Sequence, residues 1–191
     1  MVTHRDVVRL VKNTNYIDWQ EHDRLLQGAA LEFDASTFEI WGALLNGLQL
    51  YPVSREVILS ATKIKKILIK HRVTTMWLTA PLFNRLLDED TGIFTGIRNL
   101  LVGGDVLSTA HINKVKAAYP GLNVINGYGP TENTTFSTTH LIEKEYNHSI
   151  PIGKPIADTG TEVPGRPQHI KENRQNTQKN KLRQRKVKVR K

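Results

Sequence analysis

Two kinds of hydrophobic pattern alternate along the first 158 residues. Short runs of branched apolar residues predict buried strands, whereas apolar residues spaced three or four positions apart predict helices. Strands are predicted at 23–34, 48–53, 73–80, 97–105 and 122–129. Helices are predicted at 7–16, 36–47, 61–72, 81–90 and 108–120. Such alternation predicts an α/β fold in which helices flank a mostly parallel sheet.

The two clearest apolar faces carry tryptophan. The helix predicted at 36–47 has four apolar residues at helical spacing, which we expect to face the core: Phe38, Trp41, Leu44 and Leu45. Trp77 lies on the apolar face of a predicted strand. Because tryptophan on such faces more often belongs to the core than to a ligand site, Trp41 and Trp77 are both interpreted as core residues.

The bulk composition is compatible with one globular domain. The chain has 191 residues, of which 39% are hydrophobic, and this is enough for a sizeable core. No apolar run is long enough to span a bilayer, and the N-terminus lacks the apolar segment of a signal peptide, so we expect no membrane association. The lack of cysteine excludes disulfides and thiolate metal sites and is compatible with a cytoplasmic location.

The positive charge is confined to the end of the chain. Residues 161–191 hold 11 Lys and Arg and two acids, whereas residues 1–160 hold 16 of each kind, so the tail accounts for the whole net charge of +9. The tail has few apolar residues and no aromatic residue, which predicts a disordered basic tail at 159–191. Clustered cations could bind nucleic acid or another acidic surface. Without aromatic side chains for base stacking, a solvated tail is the favoured interpretation.

Three segments with site chemistry follow predicted strands: FDAS at 33–36, VGGD at 102–105 and NGYGPTE at 126–132. The carboxyl ends of parallel strands share one edge of a sheet, where ligands collect, so we expect the three segments to converge. Each also has a purely structural interpretation. Asp34 can cap the following helix, with Ser36 as an equal candidate for that cap, or it can pair with a substrate ammonium. Gly103 and Gly104 can form a tight turn or allow a flat ring to approach the backbone.

The run NGYGPTENTT at 126–135 combines turn residues with side chains that suit a nucleotide. Tyr128 offers a stacking ring, Thr131 a hydroxyl, and Glu132 a carboxylate of the kind that binds Mg²⁺. A plain loop would need only the Gly, Pro and Asn. From the residues alone, a nucleotide site and an ordinary loop both stay open.

Together, FDASTFEIWGALLNG and NGYGPTENTT resemble the amino-acid adenylation domains of nonribosomal peptide synthetases, members of the adenylate-forming superfamily. The resemblance runs from about Val2 to about Ile156 and implies that residues 1–158 form part of the large N-terminal domain of such an enzyme, with an unrelated tail. It implies that the loop holds ATP, with Asn126 and Tyr128 against adenine. It also implies catalytic roles for Thr131 at the α-phosphate and Glu132 as the Mg²⁺ ligand.

The resemblance also implies an amino-acid site. Gly103 and Gly104 match the backbone that lines the adenine slot, and Asp34 matches the carboxylate that receives the α-amino group. The substrate pocket of the family corresponds to nine positions of this chain: Asp34, Ala35, Phe38, Trp77, Leu101, Gly103, Gly127, Thr135 and Phe136. The set is apolar apart from Asp34 and Thr135, and it resembles those for valine. A pocket of this kind excludes charged side chains more firmly than it separates valine from isoleucine.

In the family, the amino-acid carboxylate is joined to AMP and then passed to a carrier-protein thiol on phosphopantetheine, in secondary metabolite biosynthesis with other synthetase modules. The resemblance implies those partners here, together with ATP and a small branched amino acid. The family's phosphate loop and the lysine of its C-terminal domain have no counterpart in this sequence. We therefore expect a fragment that is inactive alone. A nonfunctional truncated remnant and a tail-mediated binder of acidic partners are the alternatives.

Overall fold

The computed structural model describes residues 2–159, which form a sheet of seven strands between two groups of helices. Residues 160–191, and with them almost all of the predicted tail, lie outside the described residues, so the expectations for the tail stay predictions. The strands are β1 (Arg24–Gln27), β2 (Gln49–Pro52), β3 (Thr75–Thr79), β4 (Asn99–Gly103), β5 (Asn123–Tyr128), β6 (Thr138–Ile142) and β7 (Lys154–Pro155).

The sheet is parallel through most of its width. Its strand order is β2-β1-β3-β4-β5-β6-β7, and the first five strands of the chain run in the same direction. β6 pairs antiparallel with β5, and β7 pairs antiparallel with β6. The predicted α/β class with a mostly parallel sheet is confirmed.

The described residues contain six α-helices: α1 (His4–Val11), α2 (Ala35–Leu44), α3 (Arg55–Ile58), α4 (Ala61–His71), α5 (Ala80–Glu89) and α6 (Thr109–Ala118). Serine or threonine side chains accept a backbone N–H at the first turn of five of them: Thr3, Ser54, Ser60, Thr79 and Ser108. Each such cap satisfies an amide that has no partner inside the helix. α2 is the exception, because its cap residue Asp34 makes no side-chain cap bond.

Strand β4 lies at the centre of the core. All five of its residues are buried, as expected for a parallel strand covered on both faces. Leu100 and Val102 pack into one hydrophobic cluster with α4, α5 and α6, whereas Leu101 packs into a second cluster with α1 and α2. Since successive side chains of a strand point to opposite faces, the two clusters lie on opposite sides of the sheet.

The strand predicted at 23–34 is mostly wrong, because only Arg24–Gln27 pairs in the sheet. The amides of Gly28 and Ala29 donate to the carboxylate of Glu39 instead of a neighbouring strand. The chain then leaves the sheet, and Leu31 and Phe33 are 72% and 69% exposed. The segment FDAS therefore follows a loop and does not directly follow a strand end.

The predicted core face of α2 is also partly wrong. Phe38 is buried, but Trp41, Leu44 and Leu45 are 41%, 56% and 37% exposed. The buried face instead contains the small residues Ala35, Gly42 and Ala43 beside Phe38. This helix is apolar on nearly every side, so its pattern cannot tell which side meets the sheet. Trp77 is partly buried against the second cluster, in agreement with a core position.

The pattern also left α3, β6 and β7 unpredicted. These elements are short, and β7 has only two residues. No helix within residues 2–159 combines the length and the apolarity needed to cross a bilayer.

Two leucine truncations test which helix faces form the core. Leu86 on α5 is fully buried, whereas Leu44 on α2 is 56% exposed. We expect Leu86→Ala to lower the free energy of unfolding by about 2–5 kcal/mol because it leaves a cavity. Leu44→Ala should change it by no more than about 0.5 kcal/mol. Urea unfolding followed by circular dichroism measures both, and an equal loss in the two variants would contradict the orientation of α2.

Candidate functional site

The carboxyl ends of the central strands meet at one edge of the sheet. Thr79 at the end of β3 pairs in register with Gly103 at the end of β4, and Gly103 pairs with Gly127 on β5. The loops that begin at these positions are VGGD and NGYGPTE. The expected convergence of these two segments is therefore present, and α2 brings FDAS to the same place, because Thr135 Oγ1 donates to the backbone oxygen of Asp34 at 2.7 Å.

A cavity of about 830 Å³ opens beside this edge. This volume suits a small-molecule site. Its wall contains the ends of β1 and β3, the loop 28–31 and part of α3, including Arg55. Four of the residues singled out in the sequence lie in the wall: Asp34, Ala35, Trp77 and Gly104.

The remaining pocket positions pack into the core next to this wall. Phe38, Leu101 and Phe136 are at most 2% exposed and share the second hydrophobic cluster with Trp77. The ring centroids of Phe38 and Phe136 lie 5.5 Å apart. These apolar side chains therefore form a closed layer behind the cavity. The rings of Phe38 and Phe136 fill the space within this layer.

Asp34 precedes the first turn of α2, but its side chain does not cap the helix. Within the described part of the chain, its carboxylate makes no hydrogen bond or ion pair, although Asp34 lines the cavity. The capping interpretation of Asp34 is thus wrong for this structure. A carboxylate in a cavity wall without a protein partner can accept a cationic ligand.

The two glycines of VGGD are favoured for different reasons, Gly104 for its backbone angle and Gly103 for lack of space. Gly104 has a φ of +79°, in the left-handed region that favours glycine. A Cβ on Gly103 would lie 2.1 Å from the backbone oxygen of Gly127, and a Cβ on Gly127 would lie 2.5 Å from the ring of Phe136. β4, β5 and the Phe136 ring therefore approach one another more closely than any other residue type would permit.

The loop after β5 presents its chemistry to solvent. Tyr128 is 51% exposed, and Thr131 and Glu132 are exposed in a one-turn 3-10 helix, Thr131–Asn133. Asn126 is buried and donates its amide to the backbone oxygen of Pro151 at 2.9 Å, so part of its donor capacity is already used.

A metal at this loop would rely on few protein ligands. Across the described residues, no group of three or more His, Asp or Glu side chains is arranged to hold a metal ion. Mg²⁺ commonly binds one or two carboxylates and completes its shell with water and substrate phosphates. A single exposed carboxylate at Glu132 fits that mode.

The pattern did not single out Glu39, although it supports the cavity wall. Its carboxylate is 1% exposed and accepts the amides of Gly28 and Ala29, the latter at 3.1 Å from Oε2. Burial raises the pKa of Glu39 to about 8, against the opposing effect of the two backbone hydrogen bonds. The sequence signal that could have singled out Glu39 is the presence of an acid within the apolar helix predicted at 36–47. No comparable sequence signal marks Arg55 as a residue of the cavity wall, because it belongs to no motif.

The model of the AMP-binding enzyme family matches residues 1–172. The chain belongs to the AMP-binding enzyme family. The match extends past residue 158, where the sequence pattern places the end of the domain; that boundary stays a prediction.

Relatives from peptide synthetases are similar over most of this chain. Gramicidin S synthase 2 of Brevibacillus brevis is 56% identical over 159 residues, which are 83% of this chain and 4% of that protein. Surfactin synthase subunit 2 of Bacillus subtilis (strain 168) is 53% identical over 159 residues, again 83% and 4%. The predicted resemblance to nonribosomal peptide synthetases is confirmed, and the chain spans a small part of the length of the curated relatives it matches.

Solved adenylation domains share the fold. PA1221, an NRPS protein containing adenylation and PCP domains, was solved with a vinylsulfonamide inhibitor; it superposes with a TM-score of 0.75 and 38% identity, over 80% of this chain and 27% of that one. The N-terminal subdomain of Klebsiella oxytoca NpsA, in complex with anthranilyl-AMSN, gives a TM-score of 0.74 and 26% identity, over 81% and 40%. This chain thus has the fold of part of an adenylation domain.

A methyl group at Gly127 tests the close packing behind the site. Gly127→Ala should displace the Phe136 ring and lower the free energy of unfolding by about 1–3 kcal/mol, because the layer has no space to accommodate it. Gly121→Ala is the control, since a Cβ at that exposed glycine meets no atom within 4 Å. Urea unfolding should leave this control within about 0.5 kcal/mol of the parent. Equal stability of both variants would contradict the packing.

The buried Glu39 should make stability depend on pH. Its carboxyl pKa is 4.5 when unfolded and about 8 when folded, so between these values the unfolded chain releases a proton that the folded chain keeps. Stability from this group is complete below pH 4.5 and is lost as pH rises towards 8, by up to roughly 1.4 kcal/mol per pH unit. Urea unfolding from pH 5 to 8 measures the loss.

Glu39→Gln is the control for that pH series. Other groups titrate in both proteins; one of them is His140, and burial lowers the pKa of its side chain. The contribution of Glu39 is therefore the difference between the two pH profiles. We expect the variant to lose less stability than the parent as pH rises. Parallel profiles would contradict a raised pKa.

Proposed function

We propose that this chain provides the ATP-binding and amino-acid-binding face of an adenylation domain in nonribosomal peptide synthesis. The reaction joins the carboxylate of an amino acid to the α-phosphate of ATP and releases pyrophosphate. The task of the protein is to position two anions and offset their repulsion. The family membership and the convergence of two strand-end loops beside a cavity support this assignment.

The unpartnered carboxylate of Asp34 in the cavity wall is the observation that carries the proposal. An α-amino acid carries an ammonium group, and pairing with Asp34 would fix that end of the substrate. The backbone of Asp34 is held by Thr135, so the carboxylate has a fixed point of attachment. A substrate without an amino group would leave it unpaired, which favours an α-amino acid over an aryl acid.

The side chain of the amino acid would lie against the apolar layer. Trp77 reaches the cavity, and Phe38 and Phe136 lie behind it. A charged side chain would lose its hydration there without gaining a partner. The pocket positions are apolar apart from Asp34 and Thr135 and resemble those for valine, so we propose a valine-like substrate.

The nucleotide would bind along the other loop. Tyr128 would stack on adenine with Asn126 beside it, and the backbone of Gly103 and Gly104 would line the slot. Thr131 would hydrogen-bond the α-phosphate. Glu132 would hold Mg²⁺, which when bound offsets phosphate charge. Tyr128, Thr131 and Glu132 are exposed at this edge of the sheet, whereas Asn126 is buried.

Transfer to phosphopantetheine on a carrier protein, and assembly with other synthetase modules in the cytoplasm, are part of the same proposal. This part of the proposal rests on two relatives, Gramicidin S synthase 2 and Surfactin synthase subunit 2; the region similar to this chain is 4% of the length of each. We propose that the isolated chain binds its ligands and does not catalyse adenylation at a useful rate. A nonfunctional remnant stays the second candidate, favoured by the rings that fill the layer behind the cavity.

Calorimetric titration of the folded 191-residue chain tests the assignment. We expect saturable binding of ATP with Mg²⁺ and of valine, weaker binding of phenylalanine, and no detectable binding of aspartate or isovalerate. Isovalerate has the shape of valine without the ammonium group, so it isolates the contribution of Asp34. Asp34→Asn should weaken valine binding at least tenfold and leave ATP binding unchanged.

Three outcomes would decide against parts of the proposal. A folded chain that binds neither ligand would favour the remnant. Isovalerate binding as tight as valine binding would remove Asp34 from the amino-acid site. Valine-dependent exchange of pyrophosphate into ATP by the chain alone would overturn the expected inactivity.

A further inference from the structure

Arg9 on α1 connects the start of the chain to the loop that holds the candidate site. Its guanidinium donates to the backbone oxygens of Asn133 at 2.6 Å, Phe136 at 3.1 Å and Thr134 at 3.4 Å. These acceptors lie more than 120 residues away in sequence. The guanidinium of arginine presents five donors in a rigid planar fork, whereas lysine carries three donors on one nitrogen at the end of a flexible stem.

The loop needs such support because its backbone is strained. Thr134 and Thr135 have φ values of 56° and 63°, and two consecutive left-handed residues are rare when both are β-branched. Within residues 2–159, the oxygens of Asn133 and Phe136 accept hydrogen bonds from Arg9 and from no other group.

Both halves of the candidate site depend on this loop. Thr131 and Glu132 precede the strained pair and belong to the nucleotide half. Thr135, which binds the backbone of Asp34 at 2.7 Å, and Phe136, whose ring packs on Phe38, belong to the amino-acid half. A change in the strained pair would therefore move both halves together.

We propose that Arg9 is a positioning residue that stabilises the left-handed pair Thr134 and Thr135 and thereby sets the nucleotide and amino-acid halves in register. It touches neither ligand and acts through the carbonyl groups of the loop. Its partial burial disfavours the free cation and lowers its pKa, so its three carbonyl contacts compensate for lost hydration. The part concerning ligands rests on the proposed function.

Hydrogen exchange read by mass spectrometry tests the positioning role without any ligand. In the full chain, Arg9→Gln should speed exchange at the amides of 133–137 at least tenfold and leave the strands unchanged. Arg9→Lys keeps the charge but loses the fork, and it should give an intermediate rate. Arg5→Gln is the matched control, because Arg5 lies on the same helix and is exposed; it should exchange as the parent does.

Titration of the same variants with ATP and with valine tests the coupling. We expect Arg9→Gln to weaken both affinities at least fivefold, Arg9→Lys to weaken them less, and Arg5→Gln to change neither. Unchanged exchange in 133–137, or a uniform rise along the whole chain, would overturn the positioning role. Faster loop exchange with both affinities intact would overturn the coupling. If the parent chain binds neither ligand while the loop alone loosens in Arg9→Gln, the proposed function fails and the role of Arg9 in the loop stands.

Discussion

The close approach of β4 to β5 at Gly103 and Gly127 is the constraint on which the site depends. No side chain fits between Gly103 and the backbone oxygen of Gly127, or between Gly127 and the ring of Phe136. This spacing places two loops next to each other at the carboxyl edge of the sheet and fixes the ring behind them. Glycine is required here for space, since neither residue has a positive φ.

Chemistry at this edge is divided between side chains that are fixed and side chains that stay exposed. Behind the cavity, Phe38, Leu101 and Phe136 form a dry layer. The carboxylates of Asp34 in the cavity wall and of Glu132 in the exposed loop after β5 have no partner in the described range of the chain, so they keep their capacity to bind cations. A rigid apolar support with a few free polar groups is the usual composition of a small-molecule site.

The sequence pattern predicted β2 to β5 and most helices because each is a run whose own periodicity indicates its type. It failed where distant residues decide the structure. The carboxylate of Glu39 accepts hydrogen bonds from the amides of Gly28 and Ala29. These amides are then not free to pair in the sheet, so β1 ends although the apolar composition predicts that it continues. The orientation of α2 depends on which side meets the sheet, and a helix that is apolar on nearly every side does not indicate that side in its sequence. The motifs located the site loops, but no local feature indicated that Arg9 contacts one of them.

The reversal between β5 and β6 has a consequence for how the molecule folds. These two strands pair antiparallel across the short segment 129–137, whereas each parallel pair needs a longer crossover. A short segment closes with little loss of chain entropy, so the hairpin can form from local contacts. The guanidinium that completes its turn comes from the first helix of the chain. The final conformation of the turn therefore requires that α1 has docked, so a hairpin of neighbouring residues depends on a contact from the other end of the described chain.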